Sequence, residues 1–342
     1  GSLLMATGTA LRIEGGAQIT LENFAVVSSG QAGHAVQTEG MVMGLALERL
    51  AVLCQATNDA TRNRAAFGLG GLLLGVRIRD NFIIAPDGIV AGDSAQVNVT
   101  TGNITVPGGY LISALMQIEG NALVCQRSGI DFSGMAMHLL GHRIADNQFL
   151  GCSQQGLRLL GLVADGSMQV CGNGLSVSGS GIVAGVDRLW ITDNRLDAAR
   201  AADSTTPTGD GIVLATGLDS GGPNECQVLS NQLSGFAGAA LRASAPVRDL
   251  IVKFNIVRGC GMGLLVQDDG ASARVAIENN DVSDIGLDPA AKGAVAIAVV
   301  RADCATIAGN RVQGVGPRLA QGTVGVGISA TGVDRLAIRG NQ

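Results

Sequence analysis

The chain has 342 residues, 51 of them glycine; 15% are charged, 46% are hydrophobic and the net charge is −5. Its 23 lysines and arginines are scattered and aromatic residues make up 3%, which excludes the clustered basic footprint and aromatic platform of a nucleic-acid binder. No run reaches the roughly 18 uninterrupted apolar residues of a membrane helix, so the hydropathy must be divided among many short buried segments.

In chain order, Gly1-Ser2 reads as a cloning scar. A segment of the form apolar-x-apolar-x-x-Asn then recurs to the end. Its first two copies end at Phe24 and Leu50, with an apolar residue in the Asn place. Val76-Ile78-Asn81 and Met116-Ile118-Asn121 follow, then a looser copy ending at Asn147, then Met168-Val170-Asn173 and Leu189-Ile191-Asn194. A loose copy ends at Asn231, followed by Leu250-Val252-Asn255, Val275-Ile277-Asn280, a loose copy ending at Asn310, and Leu336-Ile338-Asn341. Because the chain stops inside this last copy, a piece of a longer protein is expected.

Successive Asn positions lie between 21 and 40 residues apart. A fixed core segment at variable spacing means a constant cross-section with loops of different length. Between the Asn positions, glycine precedes an alternating strand, as at Gly88-Ile89, Gly129-Ile130, Gly156-Leu157, Gly181-Ile182, Gly211-Ile212, Gly263-Leu264 and Gly327-Ile328. Period-two alternation in short glycine-rich segments predicts strands. The reading is an all-β right-handed parallel β-helix of about eleven to twelve three-strand coils, one solenoid domain over 1–342. Asn suits the bend after the second strand because it tolerates left-handed backbone. At the roughly 4.8 Å coil spacing its amides can also bond along the column. Asn147, Asn173 and Asn194 are expected to stack, each near the left-handed region.

On this pattern of Asn turns and Gly-Ile strands, residues 8 to 342 resemble the pectate-lyase-like superfamily of right-handed parallel β-helices. The resemblance implies that the Gly-Ile strand is the first of each coil, that the strand before the Asn turn is the second, and that variable loops before the first strand wall any substrate groove. It also implies that a catalytic site, if present, lies on the outward face of the first strand.

The seven cysteines form no CxxC pair. Cys54, Cys125, Cys152 and Cys260 fall four or five residues after the turn column and Cys171, Cys226 and Cys304 on the second strand, which predicts reduced, buried thiols rather than disulfides. The residue after each inward Ile or Leu should point outward. That stripe reads Asp131, Arg158, Val183, Val213, Arg242, Leu265, Ala298, Ser329. Asp131 and Arg158, one coil apart, are the candidate catalytic pair, and an exposed ion pair is the plain alternative. His138, His142 and Arg242 are the candidate binding residues. Gly141-His142-Arg143 is similar to the Gly-His-Gly of polygalacturonase-like hydrolases but lacks the last glycine. The three histidines are too scattered for a metal site; no cofactor is expected, with calcium the cofactor if the chain is an enzyme.

Trp190 should point outward, while Phe82, Phe132, Phe149, Phe236 and Phe254 should fill core. Val183, Val213 and Leu265 form an apolar row that should be covered, by the loops 197–210, 281–293 and 311–325 or by another chain. The Thr-rich stretch to Tyr110 carries Asn-x-Thr sequons at Asn98 and Asn103. Two functions follow as expectations: a non-catalytic scaffold binding other protein chains or flanking domains, or a carbohydrate-active enzyme (lyase, hydrolase or epimerase) acting on an extended acidic polysaccharide. The resemblance favours an extracellular or cell-surface setting, with the unpaired thiols arguing the other way.

Overall fold

The computed structural model describes residues 2–29, 33–55, 65–91, 99–101, 104–106, 110–133, 135–138, 140–163, 167–199, 209–217, 222–286, 293–316 and 324–342. Asn98 and Asn103, and residues 200–208, 287–292 and 317–323 of the three long loops, lie outside the described residues. The chain divides into two compact units, Gly1–Gln169 and Val170–Gln342. In each, short strands pair in parallel with the strand one coil further along, giving the parallel β-helix that the repeat predicts. No helix occurs among the described residues.

The Gly-Ile strands stack in register. Ile89, Ile130 and Leu157 are successive partners in the first unit. Ile182, Ile212, Leu241, Leu264, Ile297 and Ile328 continue one another in the second. The glycine before the apolar residue is required because the chain turns the corner there. A Cβ on Gly129 would come within 2.3 Å of the Phe149 ring and 2.6 Å of the Gly156 carbonyl oxygen.

The second strands bury one residue in two, as alternation predicts. Leu47, Ile78, Ile118 and Ile144 are register partners and enclosed, and so are Ile191, Val228, Val252, Ile277 and Ile307. Ile338, paired on Ile307, is 49% exposed where Ile307 is 0% exposed. That difference is what one coil on top contributes to burial.

The Asn residues form ladders. Asn81 donates from its backbone N–H and its side-chain Nδ2 to Oδ1 of Asn121, at 3.0 and 2.8 Å, and Asn121 does the same to Asn147. In the second unit every Asn from Asn173 through Asn194, Asn231, Asn255, Asn280 and Asn310 donates both groups to the next, ending on Asn341, at 2.9–3.0 Å. Leu50, in the Asn place, contributes its backbone N–H to Asn81. The expectation of left-handed backbone at the Asn itself is corrected: it belongs to the residue before, at Asp80, Gly120, Asp146, Gly172, Asp193, Ser230, Phe254, Asn279, Gly309 and Gly340. The preceding residue makes the bend, which leaves Asn free to aim its amide inward.

Three further differences have physical reasons. The first unit's coils carry a fourth short strand between first and second, a six-stranded parallel sheet of Gly16–Ala17, Met41–Met43, Gly71–Leu74, Tyr110–Ala114, Met135–His138 and Leu162–Val163. These segments are too short to show a period in sequence. Phe132, Phe149 and Phe236 fill core, but Phe82 and Phe254 are 51% and 57% exposed. Phe82 opens the third strand on its outward side, and Phe254 occupies a left-handed turn position. The cysteines are all free as expected, with Cys171 and Cys304 only half-buried and the other five buried.

The third strand, directly after each Asn turn, differs between the units. In the first it presents two outward columns in strict register: Leu3, Ala25, Ala51, Phe82, Ala122, Gln148, and Met5, Val27, Leu53, Ile84, Val124, Leu150. In the second the same two positions hold Arg195 and Asp197, Gln232 and Ser234, Ile256 and Arg258, Asp281 and Ser283, Arg311 and Gln313.

Candidate functional site

The first-strand corner presents two outward positions per coil, one after the inward Ile or Leu and one two residues before it. In the first unit the later column holds Val90, Asp131 and Arg158, and the earlier holds Asp87, Ser128 and Gln155. Asp131 and Arg158 are register partners, with an N···O separation of 3.8 Å and side chains 24% and 39% exposed. Asp131 also accepts the Ser133 N–H at 2.9 Å. The structure thus brings the expected pair together as a loose, solvent-facing ion pair.

The better-held carboxylate is Asp87, which the sequence reading passed over. It is buried, pairs with Arg127, and accepts the Ser128 N–H at 3.2 Å. Burial pushes its carboxyl above the ordinary range; Arg127 and the Ser128 N–H pull against that, and neighbouring Asp131 adds to the rise. Gln155, in the same column, keeps its Oε1 enclosed with no hydrogen-bond partner.

Arg242, in the second unit, is also an ion-pair member. Its Nε and Nη2 donate to the two oxygens of Asp210 at 3.0 and 3.2 Å, and Asp210 accepts the Ala239 N–H. Asp87 and Asp210 are equivalent. Each stands in an Asp-Gly-Ile triplet, two residues before the inward Ile, and each accepts the backbone N–H of the same position one coil on. That triplet was the available signal, and it was missed because only the position after the Ile or Leu was followed.

Beyond Arg242 the face is apolar for two coils, at Leu265 and Ala298, before Ser329. Leu265 is 0% exposed and Ala298 3%, clustered with Ala239 and packed by Met262 and Val295 of the earlier column. Val183 and Val213 are half-buried. The apolar row is therefore buried at Leu265, where side chains of its own face pack together.

His138 and His142 come together, but inside. Ser113 and His138 are register partners on the fourth strand, and all three side chains are buried. The Met116 N–H donates to His142 Nδ1 at 3.0 Å, which fixes the His142 proton on Nε2. Nε2 then donates to Ser113 Oγ at 3.1 Å, and Ser113 Oγ is also hydrogen-bonded to His138 Nδ1 at 2.9 Å. His138 Nε2 is enclosed with no hydrogen-bond partner. Burial lowers His138 to about 3, with His142 adding to the effect, and lowers His142 to about 4. The two rings meet edge to face at 4.6 Å. His138 and His142, expected as binding residues, are interior groups, 1% and 4% exposed.

Among the described residues no three His, Cys, Asp or Glu converge on a common metal position. An open groove of about 600 Å³ runs along the third strand of the first unit, lined by Leu53, Ile84 and Val124 on one side and Gln55 and Gln126 on the other, with no charged side chain.

No protein-family model and no curated protein matches the chain. Among solved structures it is similar to the A-module of the Azotobacter vinelandii mannuronan C-5 epimerase AlgE6, at 10% identity and TM-score 0.45, covering 97% of this chain and 91% of that one. It is also similar to the catalytic domain of a GH87 α-1,3-glucanase in complex with nigerose, at 12% identity and TM-score 0.49, covering 98% and 64%. A third is a tailspike protein of E. coli bacteriophage HK620 in complex with a pentasaccharide, at 9% identity and TM-score 0.34, covering 99% and 74%.

Proposed function

We propose that this chain is a non-catalytic β-helix scaffold, an interaction module that presents strand faces to other protein chains or flanking domains. One observation carries the reading: the carboxylates at the first-strand corner are engaged within the fold. Asp87, Asp131 and Asp210 each hold an arginine and a backbone N–H. Asp87 and Asp210, held by both an arginine and a backbone N–H at hydrogen-bond distance, are weak candidates for a base or nucleophile, and Asp131 is the least engaged of the three. At Leu265 and Ala298 the face is closed by its own apolar side chains. The test is incubation with polyuronates and neutral glucans, followed for unsaturated product, epimerised residues and new reducing ends. The expected result is no turnover above buffer, for wild type and for Asp131→Asn alike.

A second reading has its own support. Asp87 is close enough to Asp131 to feel its charge, and burial above all holds Asp87 toward its protonated form. Unequal carboxylates of this kind can serve as acid and base in glycoside hydrolysis. On this reading the substrate is an extended acidic polysaccharide, with calcium as a possible helper. Turnover lost in both Asp87→Asn and Asp131→Asn, with the melting temperature of the latter unchanged, would replace the scaffold with an enzyme.

A further inference from the structure

The third-strand face of the first unit is a dimerisation surface: we infer that two copies of this chain pack there face to face about a two-fold axis running along the strands. The inference concerns a different strand from the candidate site and holds whether or not that site turns over a substrate.

The face is unusual against an internal standard. Position for position, the second unit's third strands carry arginine, aspartate, glutamine and serine, with Ile256 an apolar exception. The first unit's carry aliphatic side chains, Phe82 and, at the last rung, Gln148, with no charge at any rung. Leu3, Met5, Phe82, Ile84 and Leu150 are between 40% and 67% exposed. Scattered exposed hydrophobes need no explanation, but a registered array does.

Size and charge select the occupant. Six rungs at roughly 4.8 Å make a flat strip some 25 Å long. With large side chains offering about 150–250 Å² each, those five expose on the order of 500 Å². Two copies would then bury on the order of 1,000 Å² before smaller side chains and the rim are counted, which is where specific interfaces begin. An uncharged strip meets its own copy without repulsion, whereas a charged ligand finds nothing there to pair with.

The side-chain sizes choose the operator. A two-fold along the strands, between the rungs of Ala51 and Phe82, reverses rung order and keeps each column opposite itself. Phe82 of one copy then lies over Ala51 of the other, Leu53 meets Ile84, and Met5 meets Leu150. A two-fold along the stack would instead set Phe82, the largest side chain of the strip, against Ile84 of the same rung, where the first operator seats it over alanine.

Sedimentation velocity between about 1 and 100 µM tests this. Wild type should shift from monomer to dimer across that range. Phe82→Asp, at a half-exposed position and with its fold checked by circular dichroism, should be monomeric throughout, while Gln232→Asp, at the equivalent place in the second unit, should dimerise like wild type. Phe82→Ala and Ala51→Phe should each weaken association at least tenfold, and the two together should restore it, since they exchange knob and hole across the axis. A wild type monomeric at 100 µM, or a dimer indifferent to Phe82→Asp, would overturn the proposal and leave the strip to another occupant.

Discussion

Asn231 shows why one residue type recurs in coil after coil. Its Oδ1 accepts two hydrogens from Asn194, and its Nδ2 is shared among Asn255 Oδ1, the Ile191 carbonyl and the Leu229 carbonyl at 2.9–3.0 Å. It is 0% exposed. No other side chain has an acceptor and a two-proton donor at that reach, and aspartate would set two acceptors against each other. Asn231→Ala strands buried groups on both sides, each costing about 1–3 kcal/mol. It should therefore destabilise by roughly 2–4 kcal/mol in denaturant titration. Asn341→Ala, at the half-exposed end of the same ladder, should cost less than half as much. Equal losses would mean that the ladder does not work as a chain of buried bonds.

The fourth strand of the first unit gives that element a pH dependence. Ser113, His138 and His142 are enclosed there as neutral groups, with His138 lowered to about 3 and His142 to about 4. An unfolded histidine titrates near 6.5. Above that pH neither state binds a proton and the full stability is present. Below it the unfolded chain takes up protons that the folded chain refuses, so stability falls with pH by about 1.4 kcal/mol per unit per histidine. The loss continues until the pH nears 4 for His142 and 3 for His138. Denaturation midpoints measured from pH 7 to pH 4.5 should fall more steeply for wild type than for His138→Leu. His138→Leu leaves the buried Ser113 hydroxyl without its His138 partner, so the variant should also lose about 1–3 kcal/mol at every pH, an offset that does not change the slope. Identical slopes would place the two rings in contact with solvent.

At the scale of the whole molecule, the parts legible in sequence were those where one residue satisfies two demands at once. Asn must follow a bend and join a ladder, and Gly must turn a corner under the next coil's carbonyl, so both leave a periodic mark. Position and partner are separable for Asp87 and Asp210: their Asp-Gly-Ile triplets are visible, but Arg127 and Arg242 lie 40 and 32 residues away across a coil. Side-chain identity does not say which way a residue faces, so Phe82 and Phe254 were placed inside although they sit outside. The Asn231 environment also recurs unchanged at Asn255 and Asn280, and each Asn requires only that another Asn follow. The ladder therefore carries no record of which coil comes next, and the chain can be shortened the way a column loses a brick. Excising residues 256–280 joins Asn255 to Asp281 and brings Asn255 under Asn310. That shortened protein should melt cooperatively with an unchanged β-type circular dichroism spectrum. Removing only 256–268 leaves half a coil and no ladder partner in phase, and should not fold. Length, in this architecture, is a variable that insertion and deletion can move in whole turns while every surviving contact keeps its kind.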